Sequence, residues 1–261
     1  VSILDRIVAA KRQEVQREMQ ETPLRRVIEL ATTAPPPRDF GKAVRREGQI
    51  NIIAEVKRAS PSRGPLQPGA EVETLARAYA EGGAAAISVL TERRFFLGAP
   101  GDLAAAKEAA APPVLRKDFL VDEWQIYESR ALGADAVLLI ARLLPDWDLA
   151  RLLGLARSLH MDALVEVHAE EEIARAVGAG ADIVGVNNRD LATLAVSLET
   201  SIRLAERLPA GIVWVSESGI ETHADVARLR AAGYGAFLVG ERLMRESDPA
   251  GALRALLGVP A

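Results

Sequence analysis

The segment Val114-Leu115-Arg116-Lys117-Asp118-Phe119 reads as a short apolar strand that ends on a lysine. Burying a lysine there is costly unless the position needs a movable proton or a fixed charge. Of 32 Lys and Arg residues only five are lysines, at 11, 42, 57, 107 and 117, so arginine is this chain's default cation. A lysine at a strand end therefore points to a task that a guanidinium cannot perform, such as releasing a proton. Composition bias with a few leftover lysines is the plain alternative, and three of the five fall in helix-like or loop-like segments.

Outward from this segment, short apolar strands alternate with polar turns and amphipathic helices. Strands are expected at 50–56, 85–90, 114–117, 136–140, 163–167, 183–186, 212–216 and 236–239. Helices are expected between and after them, at 72–81, 103–110, 123–131, 146–159, 170–177, 198–208, 223–232 and 249–257. Glycine follows several of these helices, as in Leu132-Gly133, Ala179-Gly180 and Ala232-Gly233, and supplies a left-handed cap before the next strand. Strands so continuously apolar are covered on both faces, as parallel sheets require. About eight such units fit an α/β fold of the (β/α)8 TIM barrel type. An open doubly wound sheet is the alternative, but no glycine-rich dinucleotide fingerprint follows the first strand.

Ahead of the barrel, Leu4, Ile7, Val8 and Val15 recur at helical spacing over residues 4–19. Pro23 opens a second helix through Leu24, Val27, Ile28 and Leu30, and Pro35-Pro36-Pro37 stops it. Residues 1–48 are thus an N-terminal helical extension packed on a barrel of residues 49–261, one structural domain overall. The extension can cover one end of the barrel or meet a partner, and the chain is expected to be a monomer or a weak homo-oligomer.

The bulk composition narrows the function. A net charge of −4 offers no basic surplus for nucleic acid, and the absence of cysteine removes disulfides and thiolate metal sites. No apolar run is long enough to span a bilayer and no signal peptide is evident, so no membrane association and a cytoplasmic location are expected.

In a barrel, catalytic groups stand at the C-terminal ends of strands. Those ends are polar here: Glu55 and Lys57 on one face of the first strand, then Lys117, Glu166, Asn187 with Asn188 and Arg189, and Glu217 with Ser218 and Gly219. Each alone is an ordinary solvated terminus; together they make an acid–base cluster. A Schiff-base lysine has to be neutral, whereas neighbouring glutamates favour the ammonium, so proton donation or carboxylate binding is the more natural role. The turns Ser216-Glu217-Ser218-Gly219 and Val239-Gly240-Glu241 lead into helices, the second a short extra one, where free N–H groups can hold a phosphate. Two ordinary turns are the bland alternative.

Five segments, Ile53–Ser62 (IAEVKRASPS), Leu115–Phe119 (LRKDF), Leu164–His168 (LVEVH), Gly185–Leu191 (GVNNRDL) and Ser216–Ile220 (SESGI), closely resemble those of the indole-3-glycerol phosphate synthases. The resemblance implies a lyase of tryptophan biosynthesis that takes a phosphorylated small molecule and no cofactor or metal. Its reaction closes a pyrrole ring on 1-(2-carboxyphenylamino)-1-deoxyribulose 5-phosphate, with loss of carbon dioxide and water. By the same resemblance Lys117 protonates the ketone oxygen, Glu166 and Lys57 serve the later dehydration, and Glu55 orients the lysines. Asn187 and Arg189 position the anthranilate part and its carboxylate, and Glu217 supports the floor. Ser60, Ser218, Gly219, Gly240 and the backbone at Glu241 hold the phosphate, and Phe95 and Phe96 enclose the aromatic ring. Another phosphosugar barrel enzyme and a non-catalytic ligand-binding barrel are the competing functions.

Three scattered histidines lack metal-ligand spacing, so His168 is expected to be packed or hydrogen-bonded. Trp124, Trp147 and Trp214 are expected under helices or in the barrel wall.

Overall fold

The computed structural model describes residues 2–190 and 193–259, so Leu191 of the fourth motif falls outside it. Strand β1 (Asn51–Val56) is followed by a small antiparallel hairpin, β2 (Ala59–Ser60) with β3 (Gly64–Pro65). Then come β4 (Ala86–Leu90), β5 (Val114–Lys117), β6 (Ala136–Ile140), β7 (Asp162–Val167), β8 (Ile183–Asn187), β9 (Val213–Glu217) and β10 (Ala236–Val239). β1 and β4 to β10 form a closed parallel barrel in chain order, sealed where β1 pairs with β10. The expected barrel is the one observed, with strand bounds shifted by at most one residue.

Period-two alternation divides each strand between two cores. Ile52, Ala54 and Val56 face the helices and pack with residues such as Leu75, Tyr79 and Leu253. Ile53, Leu115, Leu164, Val215 and Leu238 fill the barrel interior. Burying a side chain of this size contributes about 1.5–3 kcal/mol, so this double layer fixes strand register. Gly133, Gly180 and Gly233 have φ of +88°, +88° and +107°, as the turn from helix into strand requires.

Helices α1 (Ile3–Glu21), α2 (Leu24–Thr33) and α3 (Phe40–Val44) run along the barrel from one end to the other. α1 starts with a Ser2–Asp5 capping box and sends Leu4 and Ile7 toward Phe119, beyond the C-terminal end of β5. α2 packs on α7 (Glu123–Ala131), where Trp124 Nε1 donates to the carbonyl of Thr22 at 2.8 Å. α3 plugs the opposite end with Phe40 and Val44, both wholly buried, and Gly41 N donates to Asp162 at 2.7 Å.

The outer helices are α4 (Val72–Glu81), α6 (Gly101–Ala109), α8 (Asp146–Ser158), α9 (Glu170–Gly178), α10 (Glu199–Ala205), α11 (His223–Ala231) and α13 (Pro249–Leu257). Two short helices stand at the mouth: α5 (Arg93–Phe96) and α12 (Glu241–Met244), the latter the extra helix expected from the sequence. α5 is held by Glu92, whose carboxylate accepts from the amides of Arg94, Phe95 and Phe96. Trp124 and Trp214 are buried as expected, but Trp147 is 73% exposed and packs under nothing. It lies at the start of α8, where Leu149, Leu152 and Leu153 cover the strands. No helix among the described residues is long and apolar enough to cross a membrane.

Candidate active site

A cavity of about 760 Å³ opens at the C-terminal ends of the strands. Glu55, Lys57, Lys117, Glu166, Asn187 and Arg189 all line it. Ser218, Gly219, Gly240 and Glu241 form one end, and Phe96 with Phe119 forms an apolar wall. The two rings lie 6.1 Å apart at a 38° tilt.

Three named residues stand apart from that lining. Glu217 is beneath it, fully buried, with Oε2 against Lys117. Ser60 borders an adjoining cleft shared with Leu4 and Ile7 of α1. Phe95 lies in α5 below the guanidinium of Arg94, which stands 5.5 Å from its ring centre, and lines neither space.

The alternation that sends Lys117 into the barrel turns Arg116 and Asp118 outward. Lys117 Nζ stands 2.5 Å from Glu217 Oε2 and 3.4 Å from Glu166 Oε2. Burial opposes its charge, but Glu217, Glu166 and Glu55 outweigh that and hold the ammonium well above the ordinary lysine range. Lys117 is therefore held as the ammonium at neutral pH, a form that can donate a proton but lacks the lone pair of an amine nucleophile. On the neighbouring strand Lys57 Nζ pairs with Glu55 Oε1 at 2.7 Å.

The glutamates are not equivalent. Burial, then Lys117 in opposition, then Glu166 and Glu55 push the Glu217 carboxyl up to about 7. For Glu166 burial also favours the neutral acid, yet Lys117, His168 and the Asn187 side chain win and hold it below the usual carboxylate range. Glu55 Oε2 and Glu217 Oε1 are buried without a hydrogen-bond partner among the described residues. Such orphan acceptors cost stability, which is tolerated where chemistry needs them.

Two glycines create the room. A Cβ on Gly240 would lie 2.4 Å from Glu55 Oε1, and one on Gly185 would lie 2.0 Å from Glu217 Oε1. Both carboxylates occupy space that a neighbouring strand leaves empty. At the end of the cavity formed by the β9 turn Ser218 and Gly219 have φ of +68° and +83°. Asn188, whose role the sequence left open, holds this turn: its Nδ2 donates to Ser216 Oγ and to the Ser218 carbonyl at 3.0 and 3.1 Å.

The sequence reading named Arg189 but not its pairing with Glu241, and it missed Arg63 and Arg245 beside the same carboxylate. Arg63 of the hairpin and Arg189 reach its carboxylate at 2.9 and 3.2 Å, and Arg245 pairs with it from the next turn of chain. Arg189 Nη1 also donates to Ser62 Oγ at 3.0 Å. Arg63 falls just past the IAEVKRASPS motif, where charge alone gave no signal.

Comparison with known proteins identifies a family. A family model described as indole-3-glycerol phosphate synthase matches residues 4–256. The chain is 52% identical to the indole-3-glycerol phosphate synthase of Roseiflexus castenholzii and 48% identical to that of a Polaromonas species, with 98% of each chain covered in both cases. Among solved structures, a 3-hexulose-6-phosphate synthase superposes with a TM-score of 0.65 at 18% identity, covering 81% of this chain and all of that one. The thiamine phosphate pyrophosphorylase of Pyrococcus furiosus gives 0.59 at 20%, covering 79% and 93%. At that identity these two show the barrel fold alone. On the family match and the full-length relatives, the chain belongs to the indole-3-glycerol phosphate synthase family.

Proposed function

We infer that this protein makes indole-3-glycerol phosphate from 1-(2-carboxyphenylamino)-1-deoxyribulose 5-phosphate, releasing carbon dioxide and water. The observation that carries this reading is the protonated Lys117 held between Glu217 and Glu166 in the cavity at the C-terminal mouth of the barrel. Ring closure needs an acid at the ketone oxygen so that the electron-rich arene carbon can attack; Lys117 is that acid. Dehydration needs a base and a second acid, the roles of Glu166 and Lys57, with Glu55 fixing Lys57 at 2.7 Å.

The substrate is anionic at both ends and flexible between them, so much of the rate gain comes from holding it folded. Phe96 and Phe119 receive the aromatic ring, with Phe95 supporting that wall from α5. Asn187 and Arg189 take the anthranilate carboxylate. Ser60, Ser218, Gly219, Gly240 and the Glu241 amide take the phosphate, since the Glu241 carboxylate repels it and is bound by arginines. The extension turns Leu4, Ile7, Val15 and Val27 onto its own barrel, which supports a monomer or weakly associating chain.

The test is the appearance of indole fluorescence from purified protein and substrate, with Lys117→Ala alongside. A loss of about 10³-fold or more in kcat with an unchanged far-UV spectrum is expected, within the range of general acid catalysis. Full activity in Lys117→Ala would overturn the assignment, and reduction with borohydride should trap no imine.

A further inference from the structure

Glu166 turns its two oxygens to different partners. Oε2 lies 3.4 Å from Lys117 Nζ, and Oε1 lies 3.4 Å from His168 Nε2. On the far side of the imidazole, Nδ1 faces Glu172 Oε2 of α9 at 3.5 Å. Glu172 Oε1 in turn faces Arg142 Nε, in a 3-10 turn at Ala141–Leu143 after β6, at 3.4 Å. Side-chain exposure rises along this row, from 3% at Glu166 through 8% at His168 and 10% at Glu172 to 45% at Arg142. His168, Glu172 and Arg142 do not line the cavity. The row therefore joins the reacting end of the cavity to solvent by a side route between the loops after β6 and β7.

The reaction gives such a route a purpose. An ionised carboxylate leaves as neutral carbon dioxide, so substrate plus one proton gives product, carbon dioxide and water. Each turnover consumes a proton, and Lys117 has to be recharged before the next ring closure.

We propose that His168 and Glu172 form a proton inlet that recharges Lys117 through Glu166. Lys117 gives its proton to the ketone oxygen and is left as a neutral amine. His168 in its Nε2–H tautomer takes a proton on Nδ1 from Glu172, which had gained it from a solvent hydronium ion, and passes the Nε2 proton to Glu166 Oε1. Exchange with solvent after product leaves restores the starting tautomer. A half-turn of the Glu166 carboxyl, a soft torsion, brings the proton to the Lys117 side, where Nζ takes it. One proton enters per turnover, and in the dehydration the proton that Glu166 takes from the substrate offsets the one that Lys57 gives to the leaving water, so the balance closes.

Three features support this sequence. Neither ring nitrogen of His168 has a hydrogen bond among the described residues, so both are free to exchange protons with the carboxylates they face. Separations of 3.4–3.5 Å are open contacts of the kind that close in a working complex. Burial disfavours a charged imidazole, but Glu172 and Glu166 overcome this and, against Arg142, raise its proton affinity above that of free histidine.

The inlet rests on the reading of Lys117 as the acid of ring closure, and the test separates the two. Wild type, His168→Ala and Glu172→Gln are assayed in H2O and D2O, with and without added imidazole. Gln at 172 can still accept the His168 amide, which now bonds Glu172 Oε2 at 2.7 Å, so that variant keeps the loop in place. Expected are a fall in kcat of about 10–100-fold for His168→Ala, a smaller fall for Glu172→Gln, KM within about threefold of wild type, and a larger solvent isotope effect. Imidazole should restore part of the His168→Ala rate. Unchanged kcat and isotope effect in both variants would overturn the inlet while leaving the function intact. So would a loss of kcat with no change in isotope effect and no imidazole rescue, which would mark a structural role. An inactive wild type would overturn the function and the inlet with it.

Discussion

Lys117 Nζ and Glu217 Oε2 meet 2.5 Å apart at the centre of the barrel, though 100 residues of chain separate them. The contact depends on Gly185 of the adjoining strand, which leaves the space that the Glu217 carboxylate occupies. Glu55, Glu166 and Glu217 against Lys57 and Lys117 would leave one negative charge in excess if all were ionised. The protein relieves this by raising the proton affinity of Glu217.

That relief predicts a pH-dependent gain in stability. The Glu217 carboxyl is raised from 4.5 to about 7 on folding, so across that window the folded chain holds the extra proton and stability falls as pH rises. Glu217→Gln abolishes this titration. Its stability relative to wild type should therefore rise between pH 5 and pH 8, by on the order of 2–3 kcal/mol in urea titrations. Its turnover should fall, because Lys117 loses one of its two nearest carboxylates. A stability difference that does not vary with pH would show that Glu217 is ionised throughout.

Lys117→Arg distinguishes charge from proton transfer. A guanidinium can keep a pairing with Glu217 and Glu166 but does not release a proton at working pH. The variant should fold, with turnover reduced about as far as in Lys117→Ala, by about 10³-fold. Retention of more than a tenth of wild-type kcat would mean that position 117 supplies only positive charge.

Gly240 carries a prediction about space alone. Its φ of −124° is negative, so Gly240→Ala does not force a left-handed backbone. The new methyl meets Glu55 Oε1 at 2.4 Å and Glu55 Cβ at 3.0 Å, and has to push that side chain away from Lys57. A cost of about 1–3 kcal/mol is expected, with a drop in kcat. The double variant Gly240→Ala, Glu55→Ala should recover part of the stability but none of the activity. Strict additivity of the two would show that they do not touch.

Much of the fold was legible because the barrel repeats one local pattern. Each strand is a continuous apolar run, each helix an amphipathic stretch, and most junctions carry a glycine. The polar strand ends were legible for the same reason, since Lys117, Glu166 and Glu217 interrupt apolar strands. What was hidden depends on contacts between distant segments. The burial of Arg116 follows from Glu128, Ser129 and Thr91, none of which its own strand reveals. Two of the arginines around Glu241, Arg63 and Arg189, come from separate loops far from it in the chain. The helical spacing of α1 gave no sign that Lys11 would be 3% exposed, because a lysine among polar neighbours on a helix normally faces solvent.

Lys11 gives the last prediction. Its Nζ lies 3.0 Å from Asp118 Oδ1 and 3.0 Å from Glu14, and Asp118 also accepts from Thr91 Oγ1 at 2.6 Å. The extension is thereby anchored one residue beyond Lys117 and one before Phe119, whose amide the Asp118 carboxylate also binds. Lys11→Met leaves a buried carboxylate with only Arg116 at 3.4 Å as a cation, and should cost about 3 kcal/mol. Burial opposes the Asp118 charge, but Lys11 and Arg116 hold its carboxyl below 3.8. The stability this supplies is present above that pH and lost on acidification, so the gap between wild type and Lys11→Met should shrink below about pH 4. Lys11→Met combined with Asp118→Asn should recover much of the loss in stability, since no unpaired charge remains. If the single variant unfolds at the wild-type urea midpoint, α1 is docked by Leu4, Ile7 and Val15 alone, and the ion pair beside Lys117 contributes nothing to holding it.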